Sequence, residues 1–219
     1  MLLLIFFDII NAYTRLDIER RMVLDRSAGS QVFVVSYPKI IPDETFGSLL
    51  TYAEADKRDR LQRMKREKAQ ASLIGLLLAK YAIAQKWGLP FYDIQFGTTS
   101  YGKPYVIGHE QVHFNISHSG TVCVCVVADA PVGVDIQKME PHNFHRIVKR
   151  FFTAEEQAVY EQEGRGKLAF YRMWTKRESV GKYLGMGFYY KNHKDTADWQ
   201  VFHTIYQHTY MLCVCTRAE

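Results

Sequence analysis

The chain has 219 residues, of which 47% are hydrophobic and 23% are charged, proportions typical of a globular protein with one large domain or two small ones. This composition excludes collagen, a disordered chain and a bundle of membrane helices. The 28 Lys and Arg residues outnumber the 23 Asp and Glu residues and leave a formal net charge of +5, which favours anionic ligands without identifying one.

The chain opens on the apolar segment MLLLIFFDII. This segment is too short to cross a bilayer, and it carries Asp8 with no basic residue before it. We therefore expect neither a membrane anchor nor a signal peptide, and we expect a cytoplasmic protein. Residues 1–30 end in the turn-like Ser27-Ala-Gly-Ser30 and are interpreted as an N-terminal extension.

Residues 31–130 are predicted to form an N-terminal half. A strand over 32–37 precedes a long helix over 53–86, whose front part is basic and whose later part is apolar. Gly88 and Pro90 end this helix. Short strands are expected over 92–96, 104–107, 112–116 and 121–127, with turns at 101–104 and 117–120.

Residues 131–219 are predicted to form a C-terminal half. A strand over 132–136 is followed by a helix near 142–150, and Thr153-Ala-Glu-Glu156 has the capping-box spacing that begins another helix. A longer helix is predicted over 167–184, where Gly185 ends it. Two strands, over 198–205 and 210–216, complete this half.

Two Cys-Val-Cys segments, 123–125 and 213–215, are each preceded five residues earlier by a histidine, His118 and His208. In a strand both thiols of such a segment point to one face, and their apolar neighbours favour buried free thiols over a zinc site. The expected cytoplasmic location disfavours a disulfide. The echo suggests two related halves, each a long helix on a small antiparallel sheet, although chance could produce the same spacing. The predicted fold class is therefore α+β with pseudo-twofold symmetry.

Asp135 is a candidate for chemistry because it lies in the apolar segment Gly133-Val-Asp-Ile136. A carboxylate is costly to bury there unless a cation pairs with it. The plainer alternative is a carboxylate at the end of a strand that caps a neighbouring turn.

Trp174, Glu178 and Lys182 share one face of the predicted helix 167–184 because they are four residues apart. A carboxylate and an ammonium group that project together can bind a hard cation and the phosphate that it holds. Magnesium suits such a site, since it needs one or two protein carboxylates. A surface ion pair beside a core tryptophan is the alternative.

Two further segments could bind anions. Phe114-Asn-Ile-Ser-His-Ser119 places a histidine between two serines, where ring, hydroxyl and amide donors are close together. The basic residues between 57 and 68 could also attract phosphate. A structural histidine and a solvated helix face are the alternatives.

Taken in order, five segments resemble the surfactin-synthetase-activating type of 4′-phosphopantetheinyl transferase over roughly residues 32–216. They are Gly102-Lys-Pro104, Phe114-Asn-Ile-Ser-His-Ser119, Gly133-Val-Asp-Ile136, Phe151-Phe-Thr-Ala-Glu-Glu156 and Trp174-x-x-x-Glu178-Ser-x-x-Lys182. The resemblance implies a monomer of two similar halves that uses magnesium. Its expected reaction moves the phosphopantetheine arm of coenzyme A to a serine of an acyl or peptidyl carrier protein and releases adenosine 3′,5′-bisphosphate.

The resemblance also implies roles for individual residues. Asp135 and Glu178 would bind magnesium and act in catalysis, and Gln137 stands where many relatives carry a third acidic ligand. Lys182 would neutralise the diphosphate, and Ser117 with His118 would hold the 3′-phosphate of coenzyme A. The full set expected to bind coenzyme A is Lys57, Arg60, Gly102, Lys103, Pro104, Ser117, His118 and Lys182.

The chain departs from the family pattern at three positions. Gln137 brings no charge to the expected metal site. Ala71, or its neighbour Gln70, stands near the place of an arginine that contacts the 3′-phosphate in relatives. Arg177 replaces the usual lysine before Glu178, which changes a point charge to a fork of donors.

Two other functions remain open on the sequence alone. One is a basic nucleic-acid-binding module, suggested by the basic helix and the aromatic residues. It leaves the acid and lysine of the late helix without a role, so we expect no nucleic-acid partner. The other is a catalytically impaired paralogue that still binds coenzyme A, for which Gln137 is the support.

Overall fold

The structure is a computed structural model that describes residues 18–25, 29–186 and 198–217. No helix in these ranges is long and apolar enough to cross a membrane. The helices are α1 (Asp43–Leu50), α2 (Ala55–Gln62), α3 (Arg66–Trp87), α4 (Phe144–Phe151), α5 (Ala154–Gln162) and α6 (Lys167–Leu184). The strands are β1 (Ile18–Asp25), β2 (Ser30–Ser36), β3 (Phe96–Thr98), β4 (Pro104–Val106), β5 (His113–Ser119), β6 (Val122–Ala128), β7 (Gly133–Lys138), β8 (Trp199–Tyr206) and β9 (Tyr210–Arg217).

Two antiparallel sheets and one small hairpin carry these strands. The first sheet has the order β1-β2-β6-β5, the second has the order β7-β9-β8, and β3 pairs with β4. The long helix α3 packs on β5 and β6, and α6 packs on β7 and β9. The mixed fold confirms the predicted α+β class.

The two halves repeat one plan. In each, a strand is followed by short helices, a long helix and a hairpin, and the hairpin's second strand pairs with the first strand. The order β2-β6-β5 thus corresponds to β7-β9-β8. The expected pseudo-twofold arrangement is confirmed at this level.

The predicted boundaries of the two halves and of the 1–30 extension stay predictions. Within residues 1–30, β1 pairs with β2, and residues 1–17 and 26–28 lie outside the described ranges.

The Cys-Val-Cys segments occupy equivalent places in the two sheets, on β6 and β9. All four thiols are free and buried, as predicted. Burial raises the pKa of the Cys123 thiol to about 12 and that of Cys215 to about 11, so neither is a ready nucleophile at neutral pH. The register pairs Cys123 with His118 and Cys213 with His203, which makes His203, not His208, the structural counterpart of His118.

Most predicted elements lie where the sequence patterns indicated. Thr153 and Glu156 form the predicted capping box at the start of α5, and α6 has the predicted limits, with Gly185 at its end in the left-handed region at φ +71°. The predicted helix over 53–86 is instead two helices, because the chain breaks at residues 63–65. β3 begins at Phe96, the last residue of the strand predicted over 92–96.

The segment 117–120 is not the expected turn. Ser117, His118 and Ser119 belong to β5 and pair with β6, and the hairpin turns at Gly120 and Thr121. Helix α1 was not predicted, although Asp43 and Glu44 in its first turn suit a helix N-terminus. Its buried Phe46, Leu49 and Leu50 also have helical spacing.

Candidate active site

The two sheets meet where β5 lies beside β7. Serine hydroxyls bridge these strands: Ser117 Oγ accepts a hydrogen bond from the backbone N–H of Ile136 at 3.3 Å, and Ser119 Oγ accepts one from the N–H of Lys138 at 2.9 Å. The equal offset of the two pairs shows that the strands run in the same direction. The N-terminal half therefore supplies one wall of any site at Asp135.

Asp135 lies on β7 with only 1% of its surface exposed. Its Oδ1 accepts hydrogen bonds from Ser117 Oγ at 2.8 Å and from Lys182 Nζ at 2.6 Å. Its Oδ2 accepts one from Gln137 Nε2 at 3.1 Å. The cation that a buried carboxylate requires is therefore the lysine of the late helix.

Lys182 reaches Asp135 because α6 lies very close to β7. A Cβ atom at Gly133 would stand 2.0 Å from the carbonyl oxygen of Ser179, so a residue with a side chain would push the helix away. Asn115 Nδ2 of β5 donates to the carbonyl oxygen of Lys182 at 3.3 Å and ties the same turn of α6 to the N-terminal half. Glycine on the strand and the amide from β5 thus fix the helix that presents the lysine.

Glu178 lies on α6 one turn before Lys182 and is partly buried. Residues four apart share a helix face, so its carboxylate is presented on the side of α6 that carries Lys182. Trp174, one turn earlier still, stacks on Phe170 and Phe152 and anchors this face in the aromatic core of the C-terminal half. The i, i+4 pattern predicted from the sequence is present on the helix.

A cavity of about 380 Å³ opens beside this cluster, between α2, α3 and β5. One face of α2 and one face of α3 contribute most of its wall, and both follow helical spacing. The break between these helices allows both faces to converge on one space. The lining residues are Lys57, Arg60, Leu61, Met64, Ala71, Ser72, Gly75, Leu76, Gly102, Pro104, Ile116 and His118.

The basic side chains of this cavity provide its electrostatic character. Lys57 Nζ donates to the carbonyl oxygen of Phe96 at 2.8 Å and lies 3.6 Å from Glu54 Oε2. Burial lowers the pKa of Lys57, and the Glu54 carboxylate works in the opposite direction. Arg60 is exposed at the cavity rim. The cavity is therefore lined by apolar side chains of α2 and α3 and by two basic residues of α2, Lys57 and Arg60.

His118 joins the cavity to the acid cluster. Its pKa is lowered, first because the crowded wall removes water from the ring and second because the Lys182 ammonium is near; Asp135 acts against both. The ring is therefore neutral at neutral pH, and an anion placed against it would favour its protonated form.

Ser117 and His118 point to opposite faces of β5. His118 lines the cavity, whereas Ser117 is buried and bonded to Asp135 and Lys182. The contact of both residues with a 3′-phosphate stays a prediction. Of Ser117 and His118, only His118 lines the cavity.

Lys103 also turns toward the helix that carries the lysine and the acid. Its Nζ donates to the carbonyl oxygen of Tyr183 at 2.6 Å, near the C-terminal end of α6, and burial lowers its pKa. It lines a second cavity of about 510 Å³, which shares Pro104 with the first. Of the predicted segment 102–104, Gly102 and Pro104 line the first cavity.

The departures from the family pattern have distinct places. Ala71 lines the cavity, while Gln70 is buried and binds backbone groups of residues 38–41. Of the two residues, only Ala71 faces the cavity, and which of them takes the place of the relatives' arginine stays a prediction. Arg177 binds Glu156 of α5, Nη1 to Oε2, at 2.7 Å.

The donors near Asp135 fit magnesium by their chemistry. In the described part of the chain no three His, Cys, Asp or Glu side chains form a metal cluster. Magnesium uses one or two protein carboxylates and keeps water or phosphate oxygens at its other positions, so Asp135 of β7 and Glu178 of α6 are chemically suitable candidates for its ligands. Gln137 is here a hydrogen-bond donor to Asp135, so it supports the carboxylate in this arrangement.

Asn115 is the residue that sequence reasoning did not single out. It is buried, and its side-chain amide donates to the backbone carbonyl oxygen of Lys182. A signal was available, since Asn115 stands two residues before Ser117 on the same strand face and is flanked by apolar Phe114 and Ile116.

Comparison with known families gives two adjoining matches. Residues 131–215 match the profile of the 4′-phosphopantetheinyl transferase superfamily. Residues 42–130 match that of the 4′-phosphopantetheinyl transferase N-terminal family. Each half of the fold therefore corresponds to one profile.

Individual relatives carry related names. The chain is 38% identical to a 4′-phosphopantetheinyl transferase of Bacillus subtilis over 142 residues, which are 64% of this chain and 63% of the relative. It is 30% identical to 4′-phosphopantetheinyl transferase Sfp of Bacillus subtilis strain 168 over 160 residues, 72% of this chain and 71% of the relative. It is 33% identical over 135 residues to the mouse L-aminoadipate-semialdehyde dehydrogenase-phosphopantetheinyl transferase, 54% of this chain and 43% of the relative.

Proposed function

The chain belongs to the 4′-phosphopantetheinyl transferase superfamily and is an enzyme of that type, and we propose that it transfers the 4′-phosphopantetheine group of coenzyme A to a serine of an apo carrier protein. The observation that supports this most directly is the contact of Lys182 with Asp135 beside a cavity that has cations at its rim. This arrangement combines a site for phosphate charge with a space for a nucleotide.

In the proposed reaction the serine oxygen of the carrier forms a bond to the β-phosphorus of coenzyme A. The phosphoanhydride bond breaks, and adenosine 3′,5′-bisphosphate leaves with the electron pair of that bond. The serine proton passes to Glu178 or to a water molecule near it. Most of the catalysis is charge neutralisation and positioning, as in other phosphoryl transfers.

Lys182 is proposed to donate to the diphosphate oxygens, for which it must leave Asp135. Asp135 and Glu178 are proposed to hold magnesium, with Gln137 as a third position. When bound, magnesium would neutralise the charge on the diphosphate. The exchange of partners at Asp135 keeps the buried carboxylate paired with a cation in both states.

The cavity is the proposed place of the nucleotide part of coenzyme A. Its neutral wall of Gly102 and Pro104 suits an adenine ring, and Lys57, Arg60 and His118 provide the donors that the 3′-phosphate needs. Lys103, bound to the end of α6, would act there by fixing the helix beside the adenine site.

The proposed partner is an acyl or peptidyl carrier protein. The formal charge of +5 favours an acidic partner by attraction at long range. A monomer and a cytoplasmic location also stay predictions.

The deciding experiment is a transfer assay with purified chain, fluorescent coenzyme A, magnesium and an apo carrier protein. We expect a fluorescent carrier whose mass increases by one phosphopantetheine group, with loss of the signal in EDTA and with a carrier whose acceptor serine is alanine. Binding of coenzyme A without any transfer to acyl or peptidyl carriers would support the impaired paralogue. If the chain shows no transfer but binds oligonucleotides with an affinity that falls steeply as the salt concentration rises, the nucleic-acid-binding module would be supported.

A further inference from the structure

The hydroxyl of Ser117 lies at the centre of a buried hydrogen-bond network that joins the two halves. It donates to Asp135 Oδ1 at 2.8 Å and accepts from Lys182 Nζ at 2.6 Å and from the N–H of Ile136 at 3.3 Å. Ser117 is 4% exposed. One oxygen from β5 thus contacts the acid, the lysine and the strand on which the acid stands.

This network uses the full hydrogen-bonding capacity of a serine. A hydroxyl has one donor and two acceptor lone pairs, and all three are occupied here. A phosphate oxygen needs a donor, but the one donor of Ser117 is bonded to the carboxylate of Asp135. Binding phosphate would cost Asp135 this hydrogen bond in a buried place.

The geometry points to a positioning role: we propose that Ser117 orients Asp135 and Lys182 for the transfer and does not bind the 3′-phosphate of coenzyme A. His118, on the opposite face of β5, is left as the residue of this pair that faces the nucleotide cavity. The inference rests on the proposed function, because it assigns a part in that reaction.

The physical role of Ser117 is to hold Oδ1 of Asp135 while Lys182, the other partner of the same oxygen, changes place. When Lys182 moves to the diphosphate, the Ser117 hydroxyl and Gln137 amide still fix the plane of the Asp135 carboxylate. Groups that hold a metal ligand in this way contribute strongly, and their removal typically lowers metal affinity or activity about 10- to 100-fold.

The chain offers a matched control. Ser119, two residues later on β5, makes the same kind of bridge to β7 through the N–H of Lys138, but it contacts neither Asp135 nor Lys182 in the bonds described. Ser117→Ala and Ser119→Ala each remove one hydroxyl that joins these strands. A general weakening of the junction would therefore affect both variants, whereas a positioning role affects only the first.

The first readout is binding of Mn²⁺ to the chain in the presence of coenzyme A and in the absence of carrier protein. Binding is measured as the decrease of the electron paramagnetic resonance signal of free Mn²⁺. We expect Ser117→Ala to weaken Mn²⁺ binding about tenfold and Ser119→Ala to bind as the unchanged chain does. Ser117→Thr keeps the hydroxyl and should retain most of the affinity. The proposal would be overturned if Ser117→Ala bound Mn²⁺ as the unchanged chain does, or if both alanine variants lost affinity equally. It would also be overturned if Ser117→Thr lost as much affinity as Ser117→Ala.

The second readout is the preference for coenzyme A over dephospho-coenzyme A, which lacks the 3′-phosphate. We expect Ser117→Ala to lower kcat about 10- to 100-fold for both substrates and to keep their ratio of kcat/KM. His118→Ala should lower that ratio. If Ser117→Ala lowers the ratio of kcat/KM for the two substrates as much as His118→Ala does, Ser117 contacts the 3′-phosphate and the proposal is overturned.

The two failures can be told apart. If the unchanged chain binds coenzyme A and Mn²⁺ and modifies a carrier, the proposed function stands and the variants test Ser117 alone. If the unchanged chain does none of these, the proposed function is wrong, and the role of Ser117 in it is wrong as well.

Discussion

The ammonium nitrogen of Lys182 lies 2.6 Å from Oδ1 of Asp135, a contact that joins the late helix α6 to the middle strand β7. The carboxylate side chain is 2% exposed and the lysine side chain 27%. A buried ion pair of this kind adds little net stability, because removing both charges from water costs about as much as their attraction returns. In the proposed reaction, this pair keeps a cation next to the place where the charge of the diphosphate is neutralised.

Lys182→Met should lower kcat/KM for carrier modification about 10²- to 10³-fold, the usual effect of removing one preorganised group at developing charge. Methionine keeps the length and packing of the side chain and removes the charge. The measurement is steady-state transfer with varied coenzyme A. The control is Lys176→Met, an exposed position on the same helix. A rate within twofold of the unchanged chain would contradict the role of Lys182.

Glu178→Gln should abolish measurable transfer while the fold survives. The amide has nearly the same shape as the carboxylate, but it cannot accept the serine proton and brings no charge to magnesium. Far-ultraviolet circular dichroism and the urea midpoint should stay close to those of the unchanged chain. Near-normal turnover with fluorescent coenzyme A would exclude both roles.

Arg60→Ala should weaken coenzyme A binding about tenfold, which corresponds to about 1.4 kcal/mol for one charge-assisted hydrogen bond. Arg60 lines the cavity and Arg63, just beyond the end of α2, does not, so Arg63→Ala is the matched control. Binding is measured calorimetrically at two salt concentrations, because charge attraction at an exposed rim is screened by salt. Equal effects of the two substitutions would show that general charge, and not this cavity, governs binding.

The pKa of His118 lies below its ordinary value of 6.5, so its ring is neutral in the free chain at neutral pH. A phosphate beside the ring favours the protonated form and raises this pKa, so binding takes up a proton. Affinity for adenosine 3′,5′-bisphosphate should therefore rise as the pH falls from about 8 to about 6.5.

Calorimetry in buffers of different ionisation heat measures that uptake directly. The phosphate itself takes up protons as the pH falls, so the comparison is with His118→Gln, which retains the phosphate contribution alone. Equal proton uptake by the two proteins would place the phosphate away from His118.

Local sequence signals were sufficient for the elements with clear ends. Helix α6 was predicted with its observed limits because Gly185 marks its end, and the capping box at Thr153 marks the start of α5. The break between α2 and α3 was missed because residues 63–65 contain neither Gly nor Pro. That break depends on tertiary packing, yet it is what brings two helix faces to the cavity.

The site was predicted in the same uneven way. The apolar segment Gly133-Val-Asp-Ile136 identified Asp135, and the i, i+4 spacing on the late helix identified Glu178 and Lys182. Neither pattern shows that Asp135 and Lys182 are in contact. Ser117 was grouped with His118 because the two are neighbours in sequence, and strand geometry separates them. The partner of Ser117 lies 18 residues away on another strand, a contact that only the folded chain reveals.

Glu156→Ala should lower the free energy of unfolding by about 2–3 kcal/mol, more than a usual capping substitution, because this carboxylate serves two partners. Its Oε2 accepts from the backbone N–H of Thr153 at 2.8 Å and from Arg177 Nη1 at 2.7 Å. The Arg177 side chain is 8% exposed, so the substitution leaves a largely buried guanidinium without this carboxylate. Urea unfolding of Glu156→Ala and of the exposed control Lys176→Ala measures the difference; the control should change by less than about 0.5 kcal/mol. If the two variants are equally stable, the ion pair between Arg177 and Glu156 does not stabilise the packing of α5 on α6. Arg177 would then become a candidate for a role at the active site.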